Sequence, residues 1–330
     1  MATPLSLTDY EPFSGLERAR RRLRDAVATA TTSLKGAEAQ PAPATRGGYV
    51  PGVYDEIDVE FDASDGTAWC WMNPHGAPSF TVGMLEDLRT HCRDMRDVGL
   101  RAPSFGASPI KHSVLASRIP GIFNLGGDLA SFTRWIRTGD RKNLTAYARA
   151  CIDVSHDNSG GFGGQTITIS LVQGDALGGG LESALSSHMV VAERGVKFGM
   201  PEILFNLFPG MGAYSLLARK LGAAGAERLI MSGKLYTAEE FYEMGLVHVL
   251  AEPGDGVAET HRLIQRNLRR RNGLLAIEAA ARRVNKLDYD ELRDVTDIWI
   301  EAALCLSASD LRKMERLASA QDKRVAAGFA

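Results

Sequence analysis

What this 330-residue chain lacks narrows its chemistry first. No run of about eighteen apolar residues occurs, so no membrane-spanning helix is expected. Residues 1–14 carry Asp9 and Glu11 and lack a basic stretch followed by an apolar one, so they do not read as a secretory signal. The four cysteines, Cys70, Cys92, Cys151 and Cys305, show neither paired nor metal-ligand spacing, and the seven histidines do not cluster. Reduced thiols in a cytoplasmic protein without a metal centre are the simpler expectation. Neither G-x-x-x-x-G-K-[ST] nor a strand-linked G-x-G-x-x-G is present, which argues against phosphate-loop and dinucleotide chemistry. G-x-S-x-G is missing too, which excludes a nucleophilic-elbow serine. A net charge of −2 gives no reason to expect nucleic acid as a partner.

What is present describes a globular enzyme-sized chain. Hydrophobic residues make up 45% and charged residues 24%, enough to bury a large core. Residues 1–48 read as an appendage: Ser14-Gly15-Leu16-Glu17 fits a capping box, Arg18 to Arg24 continue as a helix towards Leu34, and Gly36 to Gly48 form a flexible linker. From Tyr49 the pattern turns to strands at 57–61 and 67–72, a helix over 81–98 and a strand over 114–119. A helical stretch over 129–155, a glycine-rich loop at 160–164 and a strand over 166–172 follow. Strand, glycine turn and helix then alternate through Glu202, the signature of an α/β protein with crossover connections. Thr237-Ala238-Glu239-Glu240 is a second capping box, and the chain beyond Pro253 is almost wholly helical. The expected organisation is an extension at 1–48, a catalytic core at 49–255 and a helical region at 256–330.

Two glutamates stand out. Glu182 follows Gly178-Gly179-Gly180-Leu181, and Glu202 follows Phe198-Gly199-Met200-Pro201. An acidic residue in a first helical turn is ordinarily a solvated one favoured by the helix dipole. Here apolar neighbours surround both, Ala184, Leu185 and Met189 after the first, Ile203, Leu204, Phe205, Leu207 and Phe208 after the second. A carboxylate so embedded should have a raised pKa, as acid–base work near neutrality requires. The triple glycine lets the backbone come close to a bound group beside a helix N-terminus with free N–H donors. The arginines at 18–24 and at 266, 269, 270 and 271 read first as solvated helix faces. Their functional alternative is a docking patch for an acidic carrier protein or a phosphate-bearing tail.

Together these residues form a known pattern. The run Val172-Gln173-Gly174-Asp175-Ala176-Leu177-Gly178-Gly179-Gly180-Leu181-Glu182, followed by Phe198-Gly199-Met200-Pro201-Glu202-Ile203, resembles the enoyl-CoA hydratase (crotonase) superfamily over residues 50–255. Phe123-Asn124-Leu125-Gly126-Gly127-Asp128 looks like its oxyanion-hole motif. The resemblance implies a crotonase-like spiral of ββα units with a C-terminal helical trimerisation region. It also implies that the N–H groups of Leu125 and Gly179 hold the thioester oxyanion and that Glu182 and Glu202 form the acid–base pair. Gly126, Gly127 and Gly178 would line the acyl group, and no cofactor is expected beyond the acyl thioester itself.

Pro201 to Ser215 and the long N-terminal extension resemble, more narrowly, the bacterial diffusible-signal-factor synthases. That likeness implies dehydration of a 3-hydroxyacyl chain on acyl carrier protein to a cis-2-enoyl thioester. Cleavage of the thioester would then release a fatty acid for quorum sensing. Trp71-Met72-Asn73-Pro74-His75-Gly76 lacks the basic residue that usually accompanies this strand end near coenzyme A phosphates, which leaves room for a carrier-protein substrate. In this reading Glu202 moves the α-proton and Glu182 handles the hydroxyl or water. Phe205, Leu207, Phe208, Met211, Trp299 and Leu317 are candidates for an apolar tunnel. A conventional 2-enoyl-CoA hydratase and a non-catalytic scaffold binding a sensor or regulatory protein through the arginine helix are the alternatives. Members assemble as trimers or dimers of trimers, and a homotrimer or hexamer is expected.

Overall fold

The computed structural model describes residues 49–328, with side chains through residue 320. The expected N-terminal helix and linker lie outside the described residues. The order begins β1 (Ile57–Asp62), β2 (Thr67–Met72), α1 (Val82–Leu100), β3 (His112–Ser117), β4 (Ile122–Asn124), α2 (Leu129–Thr138), α3 (Arg141–Ser159) and a one-turn α4 (Gly161–Gly164). It continues with β5 (Ile167–Val172), β6 (Asp175–Leu177), α5 (Gly179–Ser186), β7 (Met189–Glu193), β8 (Lys197–Gly199) and a 3-10 turn (Pro201–Phe205). Then come α6 (Ala213–Ser232), β9 (Leu235–Thr237), α7 (Ala238–Glu243), β10 (Val249–Ala251), α8 (Gly256–Arg269), α9 (Arg271–Val284), α10 (Tyr289–Leu304) and α11 (Ala308–Gly328).

The strands form two sheets. The larger runs β1-β2-β3-β5-β7-β10, antiparallel at β1/β2 and parallel elsewhere; the smaller runs β4-β6-β8-β9, antiparallel at β8/β9. In the smaller sheet β4, β6 and β8 each follow a strand of the larger one and precede a helix or 3-10 turn. This is the ββα repeat expected of the fold class. Central β5, ITISLV, is buried at every position, as a parallel strand covered on both faces must be. Every residue of α5 is buried as well, so the element that carries Glu182 is held in the middle of the core.

Local chemistry explains two departures from the expected boundaries. The single helix read over 129–155 is two, because Gly139 adopts φ +64° and ends α2, while the side chain of Asp140 accepts from Asn143 N–H and starts α3. After Pro201 a 3-10 turn forms instead of an α-helix, and Asn206 closes it in the left-handed region at φ 63°. The capping box at Thr237 is present in both directions, its hydroxyl accepting from Glu240 N–H and Glu240 accepting from Thr237 N–H.

Candidate active site

Glu182 and Glu202 face one small cavity. Gly127, Gly179, Leu129, Phe132, Tyr147, Ala148 and Cys151 line part of it; Phe205, Leu207, Gly210, Met211 and Trp299 complete it. Glu182 is 1% exposed, and its Oε1 accepts two backbone N–H bonds, from Met211 at 2.7 Å and Ala213 at 2.9 Å. Ala213 opens α6, so the carboxylate caps a helix N-terminus whose dipole favours its charge. Burial outweighs those bonds and pushes the Glu182 carboxyl up to about 7.

Glu202 has no such support. The residue is half-buried, yet its Oε2 is enclosed and has no hydrogen-bond partner among the described residues. Burial and then the nearby Glu182 charge raise its carboxyl to about 8. Gly178 is the reason this carboxylate can sit where it does. A Cβ there would run into Glu202 Oε1, and the backbone stands at φ +51°. The expectation of two carboxyls raised by apolar surroundings therefore matches the structure, with burial the leading cause at each.

The N–H donors require a correction. Leu125 N–H donates to the Pro78 carbonyl at 2.8 Å, and its side chain packs with Ile122 and Leu177 away from the cavity. Gly126 N–H donates to Asn124 Oδ1 at 2.8 Å. The next N–H along, that of Gly127, belongs to a residue that lines the cavity beside Gly179. Gly179 is the first residue of α5, so its own N–H has no acceptor within the helix. The Gly126 carbonyl accepts from Phe80 N–H at 2.8 Å, Tyr147 O–H donates to the Phe80 carbonyl, and Asp128 N–H donates to Tyr147 at 3.2 Å. Those bonds fix the loop against Gly179, and a Cβ at Gly126 would lie 3.1 Å from Gly179 N. The Leu125 N–H is therefore taken by Pro78, and Gly127 joins Gly179 among the residues that line the cavity.

Of the apolar candidates, Phe205, Leu207, Met211 and Trp299 line the cavity, whereas Phe208 and Leu317 pack against the core outside it. Gly126 and Gly178 shape the site from behind and do not line it. Sequence reasoning missed Phe132, Tyr147 and Cys151, which come from α2 and α3; their helical spacing carried no mark beyond that of ordinary core. Cys151 is buried, and burial, with the Glu182 charge next, drives its thiol well above the usual range. The cavity measures about 40 Å³, against the 10–15 Å³ or so that one water needs on this measure. Phe132 packs edge-on against both Tyr147 and Trp299 at ring separations of 4.9 and 5.3 Å, which narrows the cavity on that side.

At the α8/α9 junction Arg266, Arg269 and Arg270 are exposed, while Arg271 is partly buried. Arg271 donates to the carbonyls of Lys111 and Gln165 at 2.9 and 2.8 Å, which ties α9 to the sheet. His75 pairs with Asp55 at 3.2 Å on the surface. Among the described residues no three His, Cys, Asp or Glu side chains gather as a metal site, and no helix is long and apolar enough to cross a membrane.

A sequence profile described as enoyl-CoA hydratase/isomerase matches residues 107–304. Mitochondrial methylglutaconyl-CoA hydratase of Rattus norvegicus is 30% identical over 221 residues, covering 65% of this chain and 66% of that protein. A probable enoyl-CoA hydratase of Mycobacterium avium is 40% identical over 88 residues, 27% of this chain and 34% of its own length. Across the first curated relatives, the match spans between 19% and 55% of their lengths. The crystal structure of enoyl-CoA hydratase from Bacillus halodurans shares the fold with a TM-score of 0.66 at 18% identity, over 79% of this chain and 98% of that one.

Proposed function

The chain belongs to the enoyl-CoA hydratase/isomerase family, and from that premise we propose that it adds water to a 2-enoyl thioester or removes it from the 3-hydroxyacyl form. The observation that carries this reading is the unequal carboxylate pair. Glu182 is pinned through one oxygen by two backbone donors, and Glu202 Oε2 is enclosed without a partner, its carboxyl raised to about 8 by burial and the Glu182 charge. In hydration, ionised Glu182 takes a proton from water as its oxygen attacks C3. The electron pair moves onto the thioester oxygen, held by the N–H groups of Gly127 and Gly179, and Glu202 then protonates C2. Dehydration runs the same steps backwards: Glu202 removes the C2 proton, and Glu182 protonates the departing hydroxyl. No metal or redox cofactor enters the proposed reaction.

The test is hydration of a series of 2-enoyl-CoA esters by the intact protein and by its Glu182→Gln and Glu202→Gln variants. Each variant should lose about 10²- to 10⁴-fold in kcat with its circular dichroism unchanged. Equal rates in wild type and both variants would overturn the assignment. The small cavity supports short acyl groups. A twelve-carbon tail needs Leu207, Met211 or Trp299 to move aside.

A narrower reading keeps these residues and changes the carrier. The run Pro201 to Ser215 and the neutral Asn73-Pro74-His75-Gly76 segment support a 3-hydroxyacyl group on acyl carrier protein, dehydrated to a cis-2-enoyl thioester. Water activated by a carboxylate would then attack the thioester carbonyl, expelling the carrier thiol and leaving a free fatty acid as a diffusible signal. Mass spectrometry of the products from matched carrier-bound and coenzyme A substrates separates the two. Free acid from the carrier-bound substrate alone supports the synthase, and reversible hydration of the coenzyme A ester without release removes it. Removing residues 1–48 tests a regulator-binding role for the arginine helix, and sedimentation tests trimer or hexamer assembly.

A further inference from the structure

A second cavity, about 400 Å³, lies between α9, the C-terminal end of α5 and the first half of α6, apart from the carboxylate pair. Its polar walls include His188, Lys220, Glu278 and Arg282, with Leu185, Leu216 and Leu287 as apolar surface. The His188 side chain is 6% exposed. Its Nδ1 accepts from Thr168 N–H at 3.0 Å and lies 2.9 Å from the Thr168 hydroxyl, whose oxygen already accepts from His188 N–H. The hydroxyl hydrogen therefore points to Nδ1, and the ring proton sits on Nε2. That Nε2–H is buried with no hydrogen-bond partner, and Glu278 Oε2 lies 3.6 Å away.

Two cations share the space. Burial pulls Lys220 and Arg282 below their usual ranges, and Glu278 is the carboxylate acting on each. Arg219 and Lys286, also in the wall, are committed to Glu291 and Asp288. Exposed Lys220 and half-buried Arg282 line the cavity beside the unanswered N–H, so two cations and one donor face a single carboxylate there, an arrangement that favours an anion. Burial also raises the Glu278 carboxyl, so a proton there would turn it from competitor into donor.

We propose that this cavity binds a small anion through a phosphate or carboxylate group, held by Lys220, Arg282 and His188 Nε2–H. An occupant would brace two helices that build the active site. The first turn of α5 carries Gly179 and Glu182, and the first residue of α6 donates its N–H to Glu182.

Titration calorimetry and thermal unfolding of the full chain with inorganic phosphate, and separately with acetate, test the proposal with ionic strength held constant by chloride. Saturable binding and a concentration-dependent rise in Tm are expected, with the tighter anion naming the ligand group. Arg282→Gln and Lys220→Gln should each weaken binding about tenfold or more, and Glu278→Gln should tighten it, an effect that a merely misfolded variant cannot mimic. Glu182→Gln should bind the anion as wild type does, which separates this site from the proposed reaction. Absence of saturable binding by both anions overturns the proposal, as does equal affinity across the Lys220, Glu278 and Arg282 variants. Loss of oligomer in Arg282→Gln with anion affinity unchanged assigns these cations to a subunit contact and overturns it too.

Discussion

Glu202 differs from Glu182 in what touches it. Two backbone N–H groups reach Glu182, while Glu202 Oε2 has none, so one carboxylate is held by backbone donors and the other keeps an oxygen without a partner. With carboxyls at about 7 and about 8, kcat/KM should follow a bell-shaped pH profile peaking between those values, both flanks belonging to the coupled pair. Steady-state rates from pH 5 to 10 check this. Stability carries the same signature with a definite sign. Both groups hold protons to higher pH folded than unfolded, so the pair's contribution is full below the unfolded value of 4.5 and lost as pH rises through about 7 and 8. Glu202→Gln should therefore flatten that decline and unfold at a higher temperature than wild type at pH 9, with little difference at pH 4. Gly178→Ala places a methyl against Glu202 Oε1 at φ +51° and should cost about 1–3 kcal/mol, with activity falling alongside; denaturant unfolding and kcat together read this. Residue types made the two glutamates legible, since apolar runs around an acidic side chain are visible in sequence. That the Leu125 N–H is taken was not visible, because its acceptor, the Pro78 carbonyl, lies 47 residues earlier in the chain.

Helices deliver these groups from separated parts of the chain. Buried α5 brings Gly179 and Glu182, the 3-10 turn brings Glu202, α2 and α3 bring Phe132, Tyr147 and Cys151, and α10 brings Trp299. Trp299 sits against Gly210, where any Cβ would collide with the indole, so α10 closes the cavity by close approach to a glycine. Trp299→Ala should lower stability by about 3–5 kcal/mol through the cavity it leaves. It should also shift the preferred thioester towards longer acyl chains. Relative kcat/KM across an acyl-length series, measured at a temperature where the variant is folded, checks the shift. Capping residues made several boundaries readable, as Thr237 and Glu240 show. The break at Gly139 went unread because Asp140 could equally have been a surface residue within one long helix; its role as a cap depends on the left-handed turn before it.

At the scale of the whole molecule, the C-terminal helices pack into the same compact unit as the sheets. Buried Trp299, Ile300, Ala303, Leu311 and Met314 join the main core. A fragment of residues 49–255 should therefore expose that surface, lose cooperative unfolding and have no hydratase activity, which near-ultraviolet circular dichroism and the thioester assay would show.

The α/β class, the alternation of strand, glycine turn and helix, and the two carboxylates in apolar surroundings followed from the sequence alone, because periodicity, capping and glycine placement are local signals carried by neighbouring residues. The ββα spiral was implied by the family resemblance. The tertiary structure alone decided that the Leu125 N–H is taken by the Pro78 carbonyl, and that Phe132, Tyr147 and Trp299 wall the carboxylate cavity of about 40 Å³. It also decided that His188, Lys220 and Arg282 meet in a second cavity. Each of these depends on contacts between segments tens of residues apart, where packing and hydrogen-bond competition settle what a side chain or an N–H group is free to do.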